Sequence, residues 1–128
     1  MVSPEVLKET LEKYIALVNA QDIEGLKAMY ADDATVEDPV GTPMHSGKEA
    51  IEAFYANGLG AADEVSAELV APIATTHAGE GAFSFQIKIK HGDHRMLIDV
   101  TDVIKLNAEG KIVSMRAFFS QEHNIQYA

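Results

Sequence analysis

Asp102 falls within a series of alternate residues that otherwise reads Met96, Ile98, Val100, Ile104, Leu106. In a strand these side chains share one face, so the carboxyl is aimed into apolar surroundings. Aspartate is depleted in strands, and an ionised carboxylate buried without a partner is very costly. Keeping the proton avoids that cost, because desolvation raises a carboxyl pKa above its usual value of about 3.9. A protonated carboxyl in a dry pocket is a hydrogen-bond donor. The competing reading is a sheet-edge carboxylate, or one paired to Arg95 or Lys105. Asp99, three residues earlier, points to the other face and reads as a surface or interface charge.

Asp38 is a second carboxylate on an apolar face. Pro39 holds it extended, on the side of Ala34 and Val36 and away from Glu37. At a strand end it stays partly wet, ionised and mobile, as a general base must. The alternative is a turn aspartate bracing the bend Pro39-Val40-Gly41. Tyr14, Tyr30 and Tyr55 are three of the four tyrosines, and each falls on an apolar helical stripe. Converging hydroxyls could bond in series and polarise the last of them into a strong donor. They could equally be three independent core tyrosines. His91, Asp93 and His94 flank a turn; a metal site there lacks sequence support, and solvated turn residues are the expectation.

The elements that must position these groups follow from pattern. Ser3 ahead of Pro4 predicts an N-cap and first helical turn, with Leu7, Leu11, Tyr14 and Val18 at helical spacing. Asp22 caps a second short helix whose stripe is Ile23, Leu26 and Tyr30. Ser46 and Glu49 have capping-box spacing and open a third, with Ile51, Phe54 and Tyr55 on one side and Gly58 and Gly60 at its end. Strands dominate the rest. Residues 64–74 read as one strand interrupted by Pro72. Phe83, Phe85, Ile87 and Ile89 alternate with polar or small neighbours, and His91-Gly92-Asp93 turns the chain into 95–106. After a turn at 107–111, a last strand places Val113, Met115, Ala117 and Phe119 together. Three N-terminal helices on a curved, mainly antiparallel sheet make an α+β fold with a conical pocket, expected as a single domain over 1–128.

Composition narrows the function. The 128 residues carry 10 basic and 20 acidic side chains, a formal net charge of −10. Nucleic acid and anionic membranes call for a basic surface and are not expected partners. There is no cysteine, which removes disulfides, thiolate catalysis and zinc–sulfur sites. No apolar run reaches about 18 residues and no basic-then-apolar leader stands at the N-terminus, so a cytoplasmic location is expected. Phosphate-loop, Ser/His/Asp and dinucleotide patterns are missing, and neither a cofactor nor a metal is called for.

The stretch from Tyr30 to Gly41 (YADDATVEDPVG), then Phe54-Tyr55-Ala-Asn-Gly58, Asp99-Val-Thr-Asp102-Val and Gly110-Lys-Ile-Val-Ser-Met-Arg-Ala117 resemble the bacterial Δ5-3-ketosteroid isomerases. The likeness runs from about residue 4 to residue 124. That family has the cone-shaped nuclear transport factor two-like fold, and its members are usually homodimers. Ketosteroid isomerases are themselves the standard example of a carboxylate base paired with a protonated carboxylic acid, so that pattern comes with the resemblance. The resemblance implies that Asp38 is the general base, carrying a proton from steroid carbon 4 to carbon 6. It implies that Tyr14 and protonated Asp102 form the oxyanion hole, with Tyr30 and Tyr55 bonded behind Tyr14. Phe54, Phe83, Phe85, Val100, Met115, Ala117 and Phe119 would wall a pocket for a flat hydrocarbon. Phe119 departs from some relatives, which carry tryptophan there. The expected activity is a cofactor-independent 3-oxosteroid Δ5–Δ4 isomerase. The rivals are a non-catalytic hydrophobic-ligand-binding module and a related cyclase or hydratase of the same fold. Arg116, Phe118 and Ser120 on the opposite strand face are candidates for a dimer contact.

Overall fold

A computed structural model describes residues Met1–Ala128. Helix α1 (Pro4–Asn19) starts as the sequence dictates: Ser3 caps it by accepting the Val6 N–H at 3.2 Å, with proline in the first turn. Its stripe of Leu7, Leu11, Tyr14, Ile15 and Val18 is buried. Helix α2 (Ile23–Ala28) is capped by Asp22, whose carboxylate accepts the Gly25 N–H at 2.9 Å. Strand β1 (Tyr30–Glu37) follows at once, so Tyr30 opens a strand and is not on the α2 stripe. A short strand β2 (His45–Ser46) leads into α3 (Lys48–Asn57). The cap of α3 is Gly47 with no side-chain bond, not the expected Ser46–Glu49 box, because Ser46 is held in β2 opposite Thr35. Gly47 has φ +87°, a conformation that favours glycine.

A 3-10 turn (Leu59–Ala61) connects to β3 (Glu64–Leu69), which ends before Pro72; the expected strand over 64–74 is shorter. Ala74 adds only an isolated bridge to Ala82. The long hairpin β4 (Glu80–His91) and β5 (His94–Leu106) turns through Gly92-Asp93. Strand β6 (Ile112–Phe118), a one-turn helix α4 (Gln121–Asn124) and β7 (Ile125–Tyr127) complete the chain. The last two elements lie beyond those that the sequence pattern predicts.

The open sheet has the order β2-β1-β6-β5-β4-β3, with β7 also on β5. All pairings are antiparallel except β1 with β6. A bulge corrects the expected face of β6. Lys105 faces Ser114 but Leu106 faces Ile112, leaving Val113 as the extra residue. Ile112 therefore points into the core and Val113 lies half-buried.

The helices close one side of the sheet around a single apolar cluster. Asn19 fastens the end of α1 to β3: its amide donates to the Ala67 carbonyl at 2.9 Å and accepts the Ala67 N–H at 2.6 Å. Further along, α1 lies so close over β4 that a Cβ on Gly81 would meet Leu11 at 2.9 Å. These contacts fix the height of Tyr14 above the sheet.

Candidate active site

The three tyrosines converge. Tyr14 comes from α1, Tyr55 from α3 and Tyr30 from the start of β1, and all three are buried. The Tyr30 and Tyr55 hydroxyls are 2.5 Å apart, and those of Tyr55 and Tyr14 are 2.9 Å apart. If Tyr30 donates to Tyr55 and Tyr55 to Tyr14, the Tyr14 proton is free to point into the adjoining cavity. A chain of hydroxyls oriented this way strengthens its last donor. Burial, then the proximity of Tyr30 and Asp102, holds the Tyr14 phenol well above its usual pKa, while the bond from Tyr55 works the other way. Tyr14 is thus a neutral donor at ordinary pH. Phe83 packs edge-on against its ring at a centroid distance of 5.9 Å.

Asp102 sits on the inner face of β5 between Val100 and Ile104, with Phe83 on one neighbouring strand and Ala117 on the other. It is 2% exposed and is the one buried charged-type residue in the protein. Neither Arg95 nor Lys105 pairs with it; the only ion pairs are Lys27–Glu52 and Arg116–Glu37. Its carboxyl lines the cavity beside Tyr14. Burial, reinforced by the charge of Asp38, pushes its pKa well above the usual carboxyl range. The group therefore holds its proton and can donate. Asp99 is turned to the opposite face, where the Gln86 amide donates to it at 2.9 Å.

Asp38 follows the last residue of β1 and is half-buried. Desolvation alone lifts its pKa from 3.8 to about 6. The bend beyond it does not depend on the Asp38 carboxylate. Val40 N–H donates to the Ala117 carbonyl at 2.8 Å, and Thr42 bonds back to the Pro39 carbonyl through both N–H and hydroxyl. Glu37, on the other face, accepts the Gly41 N–H at 3.2 Å and pairs with Arg116 at 3.2 Å. Gly41 completes the turn with φ +101°. Glu37 and Thr42 hold the bend, and the Asp38 carboxylate is left free on the cavity side. The two carboxyls are close enough in field for one to perturb the other, and their environments set different protonation states. Such a split assigns one to be acid and one to be base.

The cavity of about 360 Å³ is lined by Tyr14, Asp38, Tyr55 and Asp102 at its polar end. Of the expected walls, Phe54, Phe85, Val100 and Phe119 line it. Phe83, Met115 and Ala117 do not. They lie on the correct sheet face, but the helices cover that part of it, and all three are core. Phe83 instead supports the wall by stacking on Phe85 at 5.5 Å. The cavity extends beyond the expected walls toward the β4–β5 turn, past Ile87, Ile98, Ile89 and Met96. The alternation that marked Phe85 and Val100 extends to these positions and could have identified them. Asn57 and His91 at the outer end, with Leu59 and Ala62 beyond α3, carried no such signal. His91 and His94 pair across the turn, and nowhere do three metal-ligating side chains cluster. No helix is long and apolar enough to cross a membrane.

The SnoaL-like domain model matches residues 11–115. A steroid Delta-isomerase of Nocardioides simplex is 41% identical over 119 residues, spanning 93% of each chain. The chain belongs to the SnoaL-like family. The likeness to the ketosteroid isomerases seen in the sequence agrees with that relative. The fold also matches, at a TM-score of 0.89 and over the whole of both chains, the solved structure of the epoxide hydrolase/cyclase-like enzyme SalBIII, which has a role in pyran ring formation in the polyether salinomycin. Identity to that enzyme is 27%.

Proposed function

We propose that this protein is a steroid Δ-isomerase, converting 3-oxo-Δ5 steroids to their conjugated Δ4 isomers without a cofactor. The observation that carries the reading is the pairing of two neutral donors, Tyr14 and Asp102, with a separate carboxylate, Asp38, on one apolar cavity. The steroid Delta-isomerase relative supports the substrate class. In this mechanism Asp38 removes a proton from carbon 4, and the C–H electrons move through the ring ketone onto its oxygen. Tyr14 and protonated Asp102 donate to that oxygen in the dienolate. Asp38 then returns the same proton to carbon 6, so atoms and charge balance within enzyme and substrate. Two preorganised donors in a dry site favour the charge as it develops, and losing one such donor typically costs about 10²–10³ in rate. Tyr55 and Tyr30 act behind Tyr14, and Phe54, Phe85, Val100 and Phe119 hold the flat rings. Phe119 offers stacking but no indole N–H to the neighbourhood of the base.

A second reading, a cyclase or hydratase with another apolar substrate, is favoured by the fold match to the cyclase-like enzyme. Both differ from a binding module, which has no use for a buried carboxylic acid. The family resemblance further implies a homodimer, with the exposed Phe118 under the Arg116 guanidinium (5.3 Å) and Ser120 as candidate contacts. The deciding experiment is a spectrophotometric assay with a 3-oxo-Δ5-androstene, following the conjugated enone. Turnover that vanishes in Asp38→Asn supports the isomerase; folded protein with no turnover sinks it.

A further inference from the structure

The apolar cavity is longer than a steroid nucleus. On β5 its wall runs inward from Met96 through Ile98 and Val100 to Asp102, and on β4 the facing residues are Ile89, Ile87 and Phe85. Asp102 and Met96 are six positions apart, or about 20 Å of strand at about 3.4 Å per residue. Four fused rings built from carbon–carbon bonds of about 1.5 Å extend only about 10 Å. A steroid whose ketone meets Tyr14 and Asp102 therefore ends near Ile87 and Ile98. Ile89, Met96, Leu59 and Ala62 would have nothing to bury.

Beyond these apolar residues the lining turns polar again at Asn57 and His91. The rim there is braced: Asp63 N–H donates to the Lys90 carbonyl at 2.8 Å, and the Asp63 carboxylate accepts the Gly92 N–H at 2.8 Å. Both Asn57 and His91 offer N–H donors.

From this sequence of polar end, long apolar wall and donor-bearing rim we infer that the outer half of the cavity is a subsite for an aliphatic side chain on the far ring of the steroid, ending in a carboxylate. The inference rests on the isomerase reading and names the substrate class more closely. The side chain crosses Ile89 and Met96, and its terminal acceptor meets Asn57 and His91. Each buried methylene is worth roughly a factor of four in affinity, so a short chain should show as at least a tenfold gain.

The test compares three 3-oxo-Δ4 ligands by calorimetry: the bare nucleus, the nucleus with a short alkyl side chain, and the same chain ending in carboxylate. The alkyl ligand should bind at least tenfold tighter than the bare nucleus, and the carboxylate ligand tighter again. Met96→Trp, which fills the outer half, should shrink the side-chain advantage severalfold. The double change Asn57→Leu, His91→Leu should erase only the difference between carboxylate and alkyl ends. Equal affinity of the bare and side-chain ligands for the unaltered protein overturns the inference, whatever the variants do. So does a carboxylate end that binds no better than an alkyl end. The matching Δ5 ligands, assayed for isomerisation, separate the two readings. Turnover of the bare nucleus with no side-chain gain keeps the isomerase and removes the subsite. A side-chain gain with no turnover of any Δ5 ligand supports the subsite and removes the isomerase.

Discussion

Replacing Asp38 by asparagine should abolish turnover and at the same time stabilise the protein. The carboxylate sits half-buried with no cation beside it, and desolvation moves its pKa from 3.8 to about 6. A raised folded-state pKa means that the folded protein binds more protons than the unfolded chain between those two values. Stability from this group is therefore fully present below the unfolded pKa and is lost as pH rises through about 6. Above that the folded state carries the whole cost of an ionised, desolvated carboxylate, about 3 kcal/mol. Asparagine fills nearly the same volume and never ionises, so it should recover most of that sum at about pH 8 and about half of it at about pH 5. For a chain of this size the gain at the higher pH corresponds to a rise in Tm of about 10 °C.

The assay is urea unfolding of wild type and Asp38→Asn at both pH values, with turnover measured on the same samples. Loss of activity with a stability gain that shrinks on acidification is the expected outcome, a group kept for chemistry at the expense of the fold. If the variant is no more stable at the higher pH, or if its gain is the same at both, Asp38 is not a desolvated carboxylate. Near-normal turnover in the variant would remove it as the base.

Other expectations follow from the same geometry. In the pH profile of kcat/KM, activity should fall about tenfold per pH unit below about 6, because only ionised Asp38 accepts a proton; a profile flat down to pH 4 or so contradicts this assignment. Asp102→Leu keeps the pocket dry but deletes a donor, and should lower kcat by about 10²–10³ without unfolding the protein. Asp99→Leu, on the opposite face, should not, and equal losses in the two would undo the facing of β5. Tyr55→Phe breaks both links of the tyrosine chain and should weaken binding of a phenolic steroid that mimics the dienolate, with little effect on a matched ligand lacking the phenol; equal effects on both ligands would mean that the chain does not act on Tyr14. Ile112→Ala should cost about 2–5 kcal/mol in urea unfolding and Val113→Ala clearly less, since the bulge buries the first and not the second; the reverse order would place the bulge elsewhere.

What was legible in the sequence was whatever local pattern controls. Alternation around Asp102 named the buried face of β5 because one slip in register would expose every apolar neighbour with it. Ser3-Pro4 and Asp22 marked two helix starts because capping is a short-range bond. Readings failed where a long-range partner decided. Ser46 lost the cap of α3 because it sits in β2, paired with Thr35 of β1. Tyr30 left the helix for β1 because that strand docks in parallel on β6, with Tyr30 opposite Ile112. Val113 lost its place in the core to a bulge that only the β5 partner defines. The site shows the same division. Period two put Phe83, Met115 and Ala117 on the concave face, yet which stretch of that face stays open is set by the helices laid over it. Helix α1 comes to rest where Asn19 grips Ala67 and Leu11 meets Gly81, contacts between residues far apart in the chain. The acid and the base, by contrast, could be read early, because each breaks a local rule: an aspartate amid a strand's apolar face, and another before proline on a buried edge. Violations of that kind accumulate where function is kept against stability.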